Sequence, residues 1–422
     1  MEVIAGYKQT EVGVIPEDWD VLSFSEFITE FRGGAPLKPS DFKTSGIKVL
    51  PKGAVGRTGW LKIDSNELQY CSPSYAAKHR NNQVNDSYTI VVLRDLVPSG
   101  PSIGLIVQVK EPDTWVLAQG VYGFKVNNRV LPAFLTQLSN THWYRQLMNS
   151  TMVGSTQVHI TNTAFKATPI PLPSHSEQRI IATALSDMDA LLDGLTRLIA
   201  KKRDLKQATM QQLLTGQTRL PGFSGGWEAK QLGDLAVFLK GKGLPKSALV
   251  PDGTDPCIHY GELFTRYPET IAEILSRTNG SPDSFRSIAN DVLMPTSDVT
   301  PRGLAKASCI PINGVILGGD ILVIRSDPRR VCGSFLSYII RREEEQVLRL
   351  VTGSTVYHLY GSDMQKFTFS LPSLPEQTAI AAALSDLDAE LAILDARLTK
   401  TRALKQAMMS ELLTGKTRLP TS

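Results

Sequence analysis

A chain of 422 residues is too long for one ordinary domain and points to two or three. With 42% apolar and 20% charged residues it has the balance of a folded protein, and a formal charge of +4 makes it only mildly basic, far from a polybasic nucleic-acid coat. No run of about 18 apolar residues marks a membrane span, the opening MEVIAGYKQTEVG lacks the head and core of a signal peptide, and Cys71, Cys257, Cys309 and Cys332, without CxxC spacing, read as buried thiols of a reduced, cytoplasmic protein.

Residues 1–173 read as a first globular domain. Gly-, Pro- and Asn-rich stretches carry Lys38, Lys43, Lys52, Arg57, Lys62, Lys78 and Arg80, with Tyr75 among them. Loop cations beside glycines and aromatics are the groups that clamp phosphates and read base edges, although any one of them is equally an ordinary surface charge. The domain closes on Gly154-Ser155-Thr156, His159 and Leu172-Pro173.

Residues 174–216 read as one long helix. Ser174 and Glu177 have capping-box spacing, and Gly216 stands where a left-handed C-cap belongs. Between them Ile181, Leu185, Met188, Leu192, Leu195 and Ile199 alternate steps of four and three, the 3.5-residue period of a coiled-coil seam. The phase then shifts to Leu205, Met210 and Leu213, and Lys201-Lys202-Arg203 is expected on a solvated face.

Residues 217–372 read as a second domain, with loop residues Lys240, Lys242, Lys246, Tyr260, Arg266, Tyr267, Arg277, Arg286, Arg302 and Lys306. Arg341-Arg342 falls on a predicted helix and reads as solvated. Gly353-Ser354-Thr355 and His358 repeat the first domain's closing pattern. Residues 373–416 form a second long helix, with a seam of Ile380, Leu384, Leu387, Leu391, Leu394 and Leu398, followed by Leu404, Met409 and Leu412. About 40 helical residues span roughly 60 Å.

The two helices are copies. Residues 176–221 and 375–420 align at a constant offset of 199, with 27 of 46 positions identical. Gln9-Thr10 precedes Trp19 with the spacing by which Gln217-Thr218 precedes Trp227, so the order is nearly cyclic. Matched seams can bury each other, and antiparallel pairing, with a pseudo-twofold relation, is the expected arrangement; parallel pairing and packing of each helix on its own domain stay open. The stretches between the repeats align only at their ends, which suggests a common frame carrying two specificities.

Catalytic signatures are missing. Gly415-Lys416-Thr417 is not a phosphate-binding loop, since position 410 is serine and the first copy has Gln217 in place of lysine. There is no zinc-ligand spacing, GxSxG, HExxH, or NPPY or DPPY run.

These features together resemble the specificity subunit of type I restriction-modification systems. The resemblance spans the chain and rests on Pro171-Leu172-Pro173 with Glu177-Gln178, Leu371-Pro372 with Pro375-Glu376-Gln377, the two LLTG-x-TRLP helix ends, and the opening Tyr7–Trp19. It implies an α+β chain: two mixed α/β target-recognition domains separated by two long helices in an antiparallel coiled coil. It implies DNA half-sites read by the two domains, with the helix pair as a ruler between them. It also implies partner subunits: two modification subunits methylating adenine N6 with S-adenosylmethionine, and restriction subunits using ATP and Mg. No cofactor or metal is expected in this chain itself. By the same resemblance, Ser155, Thr156, Ser354 and Thr355 border the DNA. Two other classes stay open at this stage, the recognition part of a standalone restriction enzyme and a coiled-coil scaffold with non-DNA binding domains.

Overall fold

The computed structural model describes residues 5–280 and 282–420; the first four residues of the segment read against a signal peptide lie outside the described residues. Two compact units emerge, one of residues up to Leu195 together with those from Leu398 on, the other Thr196–Arg397. Each unit holds one globular domain, the starting half of one long helix and the closing half of the other. The helices run His175–Leu213 and Leu374–Leu412, and none is long and apolar enough to cross a membrane among the described residues.

The first domain is built on two sheets. One has four antiparallel strands in the order Ile106–Gln108, Thr89–Val92, Val121–Val126, Ile28–Gly33. Thr89–Val92 is wholly buried and β-branched at all four positions, which suits a central strand covered on both faces. The other sheet is mixed, in the order Phe42–Lys43, Gln69–Cys71, Ile47–Leu50, Trp115–Leu117, Gln83–Val84, with Trp115–Leu117 parallel to Ile47–Leu50. The second domain repeats this plan. Its four antiparallel strands are ordered Ser308–Ile310, Asp291–Pro295, Ile321–Ser326, Ala236–Lys240, and its mixed sheet again sets a late strand, Ile316–Leu317, parallel to an early one, Asp255–Ile258. The two dissimilar stretches therefore share the four-stranded sheet and a three-stranded core of the mixed sheet, which carries two further strands in the first domain.

The long helices begin inside the domain cores. Ile181, Ala182 and Leu185 pack with Phe24, Phe134 and Phe165, and the same cluster holds Met409, Leu412 and Leu413 from the end of the other helix. In the second unit Ile380, Ala381 and Leu384 pack with Phe335, Phe367, Leu213 and Leu214. Farther along, Leu195, Ile199, Leu391 and Leu398 are buried, while Met188, Leu192, Leu387 and Leu394 are half-buried. Within each unit the two helix segments run antiparallel. Lys405 reaches Asp189 at 2.5 Å in one, and Lys206 reaches Asp388 at 2.5 Å in the other, pairs related by the offset of 199.

Two expectations about the helices need correcting. Leu205 and Leu404 do not continue the seam; both are exposed, and the half-buried lysines that follow them, Lys206 and Lys405, take the inward positions through the ion pairs just described. The basic runs are not simply solvated. Lys202 pairs with Glu390 at 2.8 Å and Arg203 with Asp395 at 3.0 Å, so these residues join the helices. Arg341 pairs with Glu269, and Arg342 donates to the Leu214 carbonyl at 2.7 Å.

The repeated Glu-Gln pairs lock each domain to its helix. Gln178 is fully buried: its Oε1 accepts the Leu131 N–H at 2.9 Å and its Nε2 donates to the carbonyls of Arg129 and Pro173. Gln377 makes the same three bonds to Cys332, Arg330 and Pro372. Ser174 Oγ accepts the Glu177 N–H, the serine half of the expected capping box. The Glu177 carboxylate instead faces inward, accepting from Trp19 Nε1 at 3.0 Å and from the Arg418 guanidinium. Glu376 holds Arg219 in the same way. Gly216 and Gly415 end the helices in the left-handed region, φ 70° and 71°, against the Trp227 and Trp19 rings.

Candidate nucleic-acid interface

The first domain scatters its expected cations. Lys38, Lys43, Arg57, Lys62 and Arg80 are exposed, and Lys43 Nζ donates to the Ser40 carbonyl at 3.0 Å. Lys52 is half-buried and held on Asp95 at 2.6 Å. A pair that the sequence reading passed over lies on the same domain: the Lys110 ammonium sits 4.9 Å from the centroid of the exposed Trp60 ring.

The second domain gathers several of its cations. Lys246, Arg266, Arg277 and His259 line a cavity of about 620 Å³, where Arg266 pairs with the buried Glu262 at 3.1 Å. Arg302, Lys306 and Arg341 line a second cavity of about 520 Å³ together with Glu269 and Glu344. Arg302 reaches Glu344 at 3.3 Å. Burial, then the neighbouring Arg341 charge, holds the Lys306 amine below its ordinary pKa. Burial pushes the Glu269 carboxyl up, but Arg341 and Lys206 more than offset that and keep it below the usual range. Lys240, exposed, lies 3.5 Å from Asp320, and Lys242 is exposed. Tyr260 is half-buried, its ring edge-on to Phe264.

The two Gly-Ser-Thr turns occupy equivalent places. In the first domain Val158–His159 pairs with Arg94–Asp95, and in the second Tyr357–His358 pairs with Ser297–Asp298. Each turn closes on that ladder through a bridge, Val153 to His159 and Thr352 to His358. Gly154 and Gly353 have φ of 109° and 111°, and a Cβ on either would strike a carbonyl oxygen three residues on, at 2.2 Å. Only glycine fits there. Ser155, Thr156, Ser354 and Thr355 are all exposed. Ser297 Oγ and His358 Nδ1 are 3.0 Å apart.

Beside each turn lies a loop whose shared pattern the sequence reading passed over, although it named Arg302 within the second. Asp95-Leu96-Val97-Pro98-Ser99-Gly100 and Asp298-Val299-Thr300-Pro301-Arg302-Gly303 share Asp-(Leu/Val)-x-Pro-x-Gly at an offset of 203. The offset differs from the helices' 199, so a search at one constant spacing passes over it. Asp95 is buried and accepts from Lys52 Nζ, the Val97 and Ser102 backbone N–H groups and Ser102 Oγ. Burial pushes its carboxyl up; those hydrogen bonds, led by Lys52, outweigh it and hold the group far below the usual carboxylate range. From the other side the buried Arg145 guanidinium donates to the Pro101 carbonyl at 3.1 Å and also to Ile103. In the second loop Asp298 accepts from the Val299 N–H at 2.7 Å and Thr300 Oγ1 at 2.9 Å.

Among the described residues, no group of three or more His, Cys, Asp or Glu side chains could hold a metal ion. Cys71, Cys257 and Cys309 are buried free thiols, while Cys332 is partly exposed.

Comparison with known proteins agrees over nearly the full length. The sequence model of the type I restriction modification DNA specificity domain matches residues 16–203 and again 224–401. The chain is 24% identical to a Methanocaldococcus jannaschii protein named provisionally as the type I restriction enzyme MjaX specificity subunit, over 98% of this chain and 97% of that one. It is 21% identical to the Salmonella potsdam type I restriction enzyme StySPI specificity subunit, over 96% of this chain and 90% of the relative. Its fold matches the crystal structure of a type I restriction-modification system S subunit from M. genitalium, with a TM-score of 0.63, 13% identity and 98% of each chain covered. A chain from a structure of the assembling type I restriction-modification system matches with a TM-score of 0.52 and 18% identity, over 96% of this chain and 99% of that one.

Proposed function

This chain belongs to the type I restriction-modification DNA specificity family, of which it carries two domains, and from that premise we propose that each domain reads one half of a bipartite DNA site while the helix pair sets the unread spacer between them. The observation that carries the reading is the repetition of one core topology on two dissimilar sequences. A shared frame supplies the approach to DNA; different side chains on it supply different letters. Base edges are distinguishable in the major groove, and exposed cations such as Lys62, Arg57, Lys242 and Lys246 supply the phosphate attraction that sets affinity.

No catalytic role falls to this chain in the proposed function. Two modification subunits dock on it, flip the target adenine out of the duplex and methylate it with S-adenosylmethionine. Restriction subunits join the complex with ATP and Mg. Half-buried ion pairs such as Lys206–Asp388 and Arg219–Glu376 serve the scaffold and not a reaction.

The test is a methylome. The chain is co-expressed with a cognate modification subunit in a methylation-free host and N6-methyladenine is mapped. Two short specific parts around a fixed run of unspecified bases are expected. Methylation of a continuous motif would contradict the two-reader geometry, and a stable complex that methylates nothing would leave the scaffold reading in its place.

A further inference from the structure

The Asp-(Leu/Val)-x-Pro-x-Gly loops present a physical conflict. Leu96 is 64% exposed, Val97 49% and Val299 72%, and Val153 and Val356 stand exposed beside the adjoining turns. Aliphatic side chains grouped on a surface mark a contact. These are not on slack chain: the buried Asp95 and Arg145 pin the first loop from within, and Asp298 caps the start of the second through the Val299 N–H and Thr300 Oγ1. Gly100 is in the left-handed region at φ 53°, packed on Met152 and Val158 at the base of the turn. In the second domain the Asp298 carboxylate fills the space a Cβ on Gly303 would need, and the following short helix Pro301–Ala305 packs on both strands of the ladder. A loop ordered in advance, with its apolar residues outward, is preorganised for a partner.

The partner's chemistry follows from the repetition. The domains differ in their loop cations and in the bonds that hold the loop, yet the same Asp-(Leu/Val)-x-Pro-x-Gly pattern stands beside the same strand ladder and Gly-Ser-Thr turn in both. What it touches must be common to two half-sites of different sequence. The sugar–phosphate backbone has that property: deoxyribose offers C–H surface to Leu96, Val97 and Val299, and phosphate accepts from hydroxyls and guanidinium groups. Ser155 and Thr156, or Ser354 and Thr355, supply the hydroxyls. Arg94, exposed on the ladder, and Arg302, on the loop, supply the charge.

We propose that in each domain the Asp-(Leu/Val)-x-Pro-x-Gly loop and the Gly-Ser-Thr turn form one sugar–phosphate docking element, which sets affinity and register on duplex DNA and reads no bases. The proposal rests on the reading of each domain as a DNA reader.

The experiment uses the full chain assembled with its modification subunit. The unsubstituted complex first yields its motif; a motif that is not split fails the two-reader function and not the docking element. Leu96→Glu and Val299→Glu are then compared with it, and the double change Ser155→Ala with Thr156→Ala serves as a milder variant that leaves the loop core untouched. Each Glu variant is expected to lower affinity for a duplex carrying the motif, and for an unrelated duplex, by roughly tenfold, and the hydroxyl variant by roughly threefold. The methylated letters and spacer stay as they were, and the modification subunit still co-purifies. Unchanged affinity in all three variants would overturn the proposal. Altered letters in the half-site of the substituted domain would overturn it too, by showing base reading, as would loss of the modification subunit, by showing that the element is a protein interface.

Discussion

Glu177-Gln178 and Glu376-Gln377 show what a recurring motif is for at the scale of single side chains. The sequence reading used them for resemblance and treated each Glu as half of a capping box. In the structure each Gln bonds one backbone N–H and two carbonyls where the domain meets its helix, and each Glu binds the arginine that follows the other helix's end. Spacing along one helix could not show this, because the arginine partners, Arg418 and Arg219, stand 241 and 157 residues away. Gln178→Ala removes the amide's bonds to three backbone groups, one of them buried and two part-buried. Chemical denaturation is expected to show a loss of about 2–3 kcal/mol, with Gln377→Ala causing a similar loss in the other unit. A change below about 0.5 kcal/mol would mean that water replaces the amide and that the clamp is not structural.

At the scale of elements, legibility followed period. The long helices were legible because their repeat is long and their caps are marked, with Gly216 and Gly415 in the left-handed turn expected of them. Beyond Ile199 and Leu398 the seam was misread only at Leu205 and Leu404, because leucine outranks lysine in any apolar count, whereas Lys206 and Lys405 find buried-side carboxylates across the helix pair; Leu213, Met409 and Leu412 are buried as read. The sheets were not legible: many strands are two to four residues long, and their pairing is set by partners far away in sequence. The loop at Asp95 has a consequence that pH can probe. Its carboxyl lies below the ordinary value of 3.8 when folded, so its stabilisation is complete above that value and is lost as pH falls through the folded one. Asp95→Asn should therefore be clearly less stable than the unsubstituted chain at pH 7, with the gap narrowing steadily below about pH 4. A gap of constant size down to pH 2–3 would show that Asp95 acts by shape alone.

For the whole molecule, the near-cyclic repeat was plain in the sequence, but the way the units are cut was not. Each unit takes half of each long helix, and the repeat-related pairs Lys405–Asp189 and Lys206–Asp388 lie inside separate units. A heptad inserted after Leu195 in one helix and after Arg397 in the other would keep the 3.5-residue seam in phase and leave both ion pairs intact. The insertion adds about 10 Å of helix, close to three base pairs of DNA. If the helix pair is the ruler, the methylome should keep both half-sites and gain about three unspecified bases between them. Three base pairs also add roughly 0.3 of a helical turn, which a heptad does not supply to the protein. The duplex must untwist to compensate, so the longer motif is expected to be methylated more slowly than the parent motif. Inserting the heptad in one helix alone breaks the antiparallel register of the matched pairs and should cost assembly instead of moving the spacer. An unaltered spacer in the doubly extended chain, with both half-sites still methylated, would take the ruler role away from these helices and give it to the modification subunits.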